Sequence, residues 1–152
     1  MKLSLEEEKK YELKTFNSEN ARRIGEYAIV YAKEHQLDIC IDIYAYSKQL
    51  FHYCSDRCTP SNERFIKKKR NSVLFFGHST KFLYRKNNGN QEVLSQKYGL
   101  NTTDYTLTPG GFPIKLKDSG IVGTICVSGL EPEEDHKLVL MLMEWYKTNL
   151  VK

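Results

Sequence analysis

The sequence predicts an α+β fold in which helices pack on a mostly antiparallel sheet. Three observations carry that prediction. Apolar residues recur at helical spacing in some segments and strictly alternate in others. The resulting order is helix, strand pair, helices, strand pair, helix. The link inside each strand pair is also too short for a parallel crossover, so each pair is a hairpin. At 152 residues the chain has the size of one domain. Residues 1–152 are therefore read as a single domain, with 1–17 an N-terminal extension or short helix.

Taken in order, residues 4–14 read as a short charged helix. Asn17 or Ser18 caps a longer one reaching about His35, with Ala21, Ile24, Ala28 and Tyr31 along one face. Residues 37–46 switch to period two: Ile39, Ile41 and Ile43 point one way, Cys40, Asp42 and Tyr44 the other. A turn at Ser47-Lys48 leads into 49–54 as hairpin partner. Thr59 or Ser61 caps a helix running to Phe76, where Gly77 ends it. Residues 79–100 read as two helical pieces broken by Asn87-Asn88-Gly89-Asn90. Two strands follow, opened by Gly110-Gly111 and joined by a tight turn at Asp118-Ser119-Gly120. The last helix spans 132–149, with proline in its first turn. Its apolar face is Leu138, Met141, Leu142 and Trp145, widened by Val139, Met143 and Tyr146.

Composition narrows the function classes. No run approaches the ~18 apolar residues of a membrane span, and the start, rich in Glu6-Glu7-Glu8, lacks the apolar centre of a signal peptide. Four cysteines without such a signal are expected to stay reduced, which places the protein in the cytoplasm. A net charge of +4 permits acidic partners without requiring nucleic acid. Ten tyrosines and seven phenylalanines supply aromatic surface for a groove or a subunit contact.

Several motifs carry candidate chemistry. Gly110-Gly111 can adopt backbone angles closed to other residues, and Gly123 in mid-strand marks a close approach of another backbone or a ligand. Gly129 precedes a helix, yet Glu131, Glu133, Glu134 and Asp135 fill that helix terminus and repel phosphate. His52, Cys54 and Cys58 have metal-ligand chemistry, but no fourth ligand lies nearby in sequence, so no metal site is assigned. Lys67-Lys68-Lys69-Arg70 wraps around a helix at about 100° per residue, so at least one member faces inward. Arg70 is the expected one, with Asp42 as its carboxylate. His78 lies at a helix boundary, and His136 sits among acids that favour its protonated form. No Ser-His-Asp order, His-Glu-x-x-His or Cys-x-x-Cys appears, which points away from an enzyme.

Gly-Gly-Phe-Pro-Ile-Lys-Leu at 110–116, Gly-Ile-Val-Gly-Thr-Ile-Cys-Val-Ser-Gly at 120–129 and Glu-Asp-His at 134–136 form a recognisable set. With Gln-Leu-Phe-His-Tyr at 49–53, Lys-Arg-Asn at 69–71 and Phe-Gly-x-Ser at 76–79, the chain resembles the haem-degrading-domain family (GlcG, HbpS and PduO C-terminal type). Within it, the branch of small stand-alone proteins matches best, from about Ser18 to Tyr146. Departures are Phe65 in place of a tryptophan, and Thr108-Pro109 where relatives place a further glycine. Cys54 and Cys58 are outside the family pattern.

The resemblance implies a profilin-like α-β-α sandwich with a sheet of about five strands, and assembly into dimers or larger rings. It also implies binding of haem, a related tetrapyrrole or a small anionic ligand, between the glycine strand and the start of the last helix. His78 is then the preferred axial ligand, Arg70 or Lys69 meets a carboxylate, Gly110 and Gly111 form the wall, and His136 is a further ligand candidate. The alternative is a non-catalytic oligomeric scaffold or adaptor that holds partner proteins.

Overall fold

Alternation of Ile39, Ile41 and Ile43 against Cys40, Asp42 and Tyr44 builds the centre of the sheet, β1 (Cys40–Ala45). In the computed structural model, which describes residues 1–149, β1 pairs with β2 (Lys48–Cys54) on one side and β4 (Gly120–Ser128) on the other. The edge strand β3 (Gly111–Leu116) pairs with β4, giving the order β2-β1-β4-β3 with every pairing antiparallel. The sheet thus has four strands among the described residues, one fewer than the resemblance implies. Where a fifth would extend the β3 edge, there is only a one-residue bridge. Leu13 N–H donates to Lys115 O at 2.8 Å, and Lys117 N–H donates to Leu13 O at 2.7 Å.

Helices cover both faces. α1 (Lys2–Lys10) is followed by α2 (Ser18–Glu34), whose start is fixed by reciprocal hydrogen bonds between Asn17 and Asn20. α2 packs on β1 and β2, and α6 (Pro132–Asn149) on β3 and β4. Opposite them, α3 (Pro60–Phe76) lies across β1, β3 and β4. It starts at Thr59 and ends at Gly77 in the left-handed conformation, both as expected. Two short helices follow, α4 (Thr80–Lys86) and α5 (Val93–Gln96).

The two faces differ in chemistry. On the α2/α6 side, Ile39, Ile41, Ile43, Phe112, Ile114, Ile125 and Val127 meet Ala21, Ile24, Ala28, Leu138, Val139, Leu142, Met143 and Tyr146 in one apolar core. Each fully buried aliphatic side chain there contributes roughly 1.5–3 kcal/mol. Tyr11, Leu13 and Phe16 join that core, so the N-terminal segment is packed into the domain. From α6, Leu138 and Leu142 of the expected face and Val139, Met143 and Tyr146 that widen it are in the core, while Met141 and Trp145 stay half-buried at its outer edge. On the α3 side, the sheet presents Cys40, Asp42, Thr124, Cys126 and Ser128, and α3 answers with Ile66, Lys69, Ser72 and Val73, all buried.

The register brings Cys40 directly opposite Cys54, with Cα atoms 4.1 Å apart, and the two are joined by a disulfide. This corrects the expectation that all four thiols stay reduced. Sequence spacing hides the pairing because it is created by the hairpin register. Cysteine usage therefore gives no information on compartment here. Cys58 and Cys126 are free, and burial pushes the Cys126 thiol up to about 12.

Gly123 has the close approach its sequence position suggests, and the approaching group is backbone. A Cβ there would lie 2.0 Å from Tyr44 O and 2.7 Å from Ala45. Neither can yield without opening the β1–β4 ladder. Gly123→Ala is expected to destabilise the fold by about 1–3 kcal/mol or more. A denaturant midpoint unchanged from wild type would show that the strands can separate at no cost.

Candidate functional site

Four ion-paired or hydrogen-bonded groups hold most of the side chains that the sequence singles out: Lys69 with Asp135, Arg70 and His52 with Asp42, His78 with Glu8, and His136 with Glu7. Lys69 is the innermost, 1% exposed. Its Nζ donates to Val127 O at 2.8 Å and to Asp135 Oδ2 at 3.1 Å. Asp135 Oδ1 in turn accepts from Leu130 N–H at 3.0 Å, at the start of α6. Gly110, at φ +127°, makes room for this pair: a Cβ there would lie 2.6 Å from Lys69 Nζ and 2.6 Å from Val127 O. Gly111 packs on the backbone and Cβ of Lys69.

Lys69, not Arg70, is therefore the buried member of the basic run. The reason is periodicity: Ile66, Lys69 and Val73 fall on one helical face, and Arg70 lies one step off it. Arg70 also turns inward and meets the expected partner, with Nε donating to Asp42 Oδ2 at 3.2 Å. Its guanidinium lies 4.8 Å from the Tyr44 ring centroid. The fully buried Asp42 further accepts from Gln49 Nε2 at 2.7 Å and lies 3.2 Å from His52 Nδ1.

The two candidate ligand histidines are held by α1. His78 places Nδ1 3.1 Å from Glu8 Oε1 and stacks on Phe82 with ring centroids 4.2 Å apart. The buried Glu8 is itself held by Ser79 N–H at 3.3 Å and Lys115 Nζ at 3.1 Å. The His78 side chain is 34% exposed, and its Nε2 has no partner among the described residues. His136 is fully buried, with Nε2 3.1 Å from Glu7 Oε1 and no partner for Nδ1.

Burial sets the titration of this layer. It raises Asp135 to about 6 against the pull of Lys69, and it lowers Lys69 below the ordinary lysine value against the pull of Asp135. Burial thus works against the charged form of each partner, and the pair is held against that desolvation cost by its mutual contact and backbone hydrogen bonds. For His136, burial lowers the pKa and outweighs Glu7, which raises it. The acids Glu7 and Glu133 do favour its charged form, as the sequence suggests, but burial outweighs them and Lys81 adds to the lowering.

A cleft of about 220 Å³ opens beside the pair, lined by Asn62, Phe65, Lys69, Thr108, Ser128 and Asp135 among others. It is smaller than the roughly 300–1,000 Å³ of typical ligand sites, and no histidine lines it. A macrocycle does not fit inside. Lys69 lines this cleft and Gly110 and Gly111 pack against Lys69 without lining it, whereas His78 and His136 are held by α1. Two of the residues that hold this layer are not legible from spacing: Glu7 and Glu8 stand 129 and 70 positions from the histidines they meet. Lys69 is legible, as the one lysine at the centre of an apolar helical stripe.

Residues 16–143 match the family described as haem degrading protein HbpS-like. The chain belongs to that family. Its sequence is 33% identical over 148 residues to a UPF0303 protein of Psychromonas ingrahamii, covering 97% of this chain and 91% of that one. A UPF0303 protein of Rhizobium meliloti is 33% identical over 134 residues, covering 88% and 82%. Among solved structures, Ybr137w superposes with a TM-score of 0.89 at 22% identity, over 99% of this chain and 89% of that one. HbpS gives 0.67 at 16% identity over 90% and 91%. PduOC, solved as a haem complex, gives 0.70 at 13% over 86% and 94%. These likenesses establish the HbpS-like fold. Among the described residues, no helix is long and apolar enough to cross a membrane.

The lowered His136 pKa has a consequence for stability. Between the folded value and the ordinary 6.5, the unfolded chain binds the proton and the folded one does not, so stability falls as pH falls through that window. Wild type is expected to lose more unfolding free energy than His136→Gln between about pH 7 and about pH 5. Equal losses would show that His136 titrates as in the unfolded chain.

Proposed function

We propose that this protein binds haem or a related tetrapyrrole through His78, as a non-catalytic ligand-binding member of the HbpS-like family that works as a homo-oligomer. One observation carries the reading. His78 is half-exposed, its Nδ1 is anchored by the buried Glu8 carboxylate, and its Nε2 is free among the described residues. A carboxylate behind Nδ1 fixes ring orientation and strengthens Nε2 as a ligand, which suits an axial imidazole. Bound haem would supply an iron centre for small-molecule or redox chemistry, and the residues here hold and orient it.

Phe82 supports the imidazole from below. Lys69 and Arg70 are engaged by Asp135 and Asp42, so in this reading they shape the layer beneath the ligand rather than meet its carboxylates. The cleft beside Lys69 is left for nothing larger than a small anion. PduOC, of the same fold, was crystallised with haem, which supports the ligand class.

A second reading, the oligomeric scaffold or adaptor, is favoured by a different surface. Tyr27, Val30, Tyr31 and Trp145 line a cleft of about 470 Å³ between α2 and α6. Tyr31 continues into another of about 430 Å³ with Leu37, Leu130, Leu138 and Met141. Aromatic and methionine side chains of this kind are typical of subunit contacts.

Haemin titration separates the two. Wild type and His136→Ala are expected to give a one-to-one Soret band, and His78→Ala to shift or lose it. Weak binding that is insensitive to His78→Ala would overturn the haem reading and leave the scaffold.

A further inference from the structure

Where β1, β2 and the first turn of α3 meet, four potential metal donors converge. Cys40 Sγ, Cys54 Sγ and a carboxylate oxygen of Glu63 all lie within 4.8 Å of one another. Cys54 Sγ is 2.6 Å from Glu63 Oε1, which is itself 2.6 Å from His52 Nε2. The same sulfur is 3.9 Å from His52 Nε2. We propose that, with the Cys40–Cys54 disulfide reduced, Cys40, Cys54, His52 and Glu63 bind a thiophilic divalent cation, zinc by its chemistry.

Four arguments support the site. The ligand set is two thiolates, an imidazole and a carboxylate, the mixture that zinc takes in tetrahedral geometry with bonds of about 2.0–2.3 Å. In tetrahedral geometry such bonds hold donors roughly 3.3–3.8 Å apart, so the two sulfurs and Glu63 must separate by about an ångström, which opening the disulfide allows. The second shell is also in place. Asp42 Oδ1 lies 3.2 Å from His52 Nδ1, so an Nδ1–H donated to it leaves the Nε2 lone pair for the metal, the carboxylate–histidine–zinc arrangement. Asp42 in turn is fixed by Arg70 and Gln49.

Charge is the third argument. The carboxylates of Glu63 and Asp42 lie near a single guanidinium, Arg70, which favours a cation there, and cation binding stabilises the two sulfurs as thiolates. Access is the fourth. Cys40 is fully buried, but the Glu63 side chain is 48% exposed and His52 26%, which leaves a path from solvent. The remaining cysteines are poor competitors, because burial raises the pKa of both Cys58 and Cys126.

The site is coupled to redox state by atom balance. A dithiol reductant gives two electrons to the Cys40–Cys54 bond, becoming a cyclic disulfide and releasing its two protons to solvent, and leaves two cysteine thiolates to ligate the cation. A disulfide oxidant takes the two electrons back as its own S–S bond opens to two thiolates, and the cation leaves hydrated. Bridged and metal-bound forms are thus mutually exclusive.

The test uses the full chain, reduced with dithiothreitol, desalted under nitrogen and titrated with Co²⁺. One equivalent is expected to give a thiolate-to-cobalt charge-transfer band and intense tetrahedral ligand-field bands, both bleached by Zn²⁺. Cys54→Ser is expected to diminish the charge-transfer band. His52→Ala and Glu63→Gln should each weaken binding by at least about tenfold, a scale on which even outer-shell partners act. The unreduced protein should bind none. Glu63 is on the surface, so Glu63→Gln keeps the fold and far-UV circular dichroism confirms it. Reduced protein that shows only the weak spectrum of octahedral cobalt, or bands indifferent to both Cys54→Ser and Glu63→Gln, overturns the proposal.

Discussion

The buried ion pair between Lys69 and Asp135 is the constraint on which the α3 side of the molecule depends. It ties the middle of α3 to the start of α6 across the end of β4, because Lys69 also holds Val127 O and Asp135 also holds Leu130 N–H. Its Nζ occupies the space that a side chain at Gly110 would need. The glycine pair is therefore explained by the lysine it accommodates. Removing water from two charges is costly, and such a pair is tolerated only when each member's hydrogen bonds are met. Here they are met by backbone groups at strand and helix ends, which fixes those ends relative to one another.

From that pair follows the contrast between the two faces of the sheet. The α2/α6 face is an apolar core of isoleucine, valine and leucine. The α3 face is a layer of paired charges, with Asp42 serving Arg70, Gln49 and His52. Burial penalises unpaired polar groups, so this second layer exists only through long-range pairings. The candidate haem ligand His78 is oriented from this side, by Glu8 of α1. The disulfide and its neighbouring Glu63 and His52 lie at the opposite end of the same layer.

Much of the fold is legible in the sequence because it is local. Asn17, Thr59, Gly77 and Pro132 mark helix ends by backbone chemistry, and the alternation around Ile41 marks a strand with one apolar face. Gly123 announces a close neighbour, though not that it is the β1 backbone. Arg70 with Asp42 is legible because a buried strand carboxylate needs a cation. What escapes is set by register and topology. Cys40 meets Cys54 only through the hairpin register, and Glu63 reaches them only because α3 crosses that strand end. Glu7 and Glu8 read as a solvated acidic run, yet they close over His136 and His78 once α1 is docked. The four-strand sheet likewise departs from the family-based expectation, since Leu13 bridges the β3 edge at a single residue instead of forming a strand.

The most direct test of the account is a double-mutant cycle on the central pair, with Lys69→Met, Asp135→Leu and the combined variant compared by equilibrium unfolding near neutral pH. Each single change leaves a buried charge alone and is predicted to cost about 3–5 kcal/mol. The double variant is predicted to cost less than the sum by at least about 2 kcal/mol, within the range seen for directly coupled residues. Additive losses would contradict the account, since they would mean that Lys69 and Asp135 stabilise the fold independently of each other.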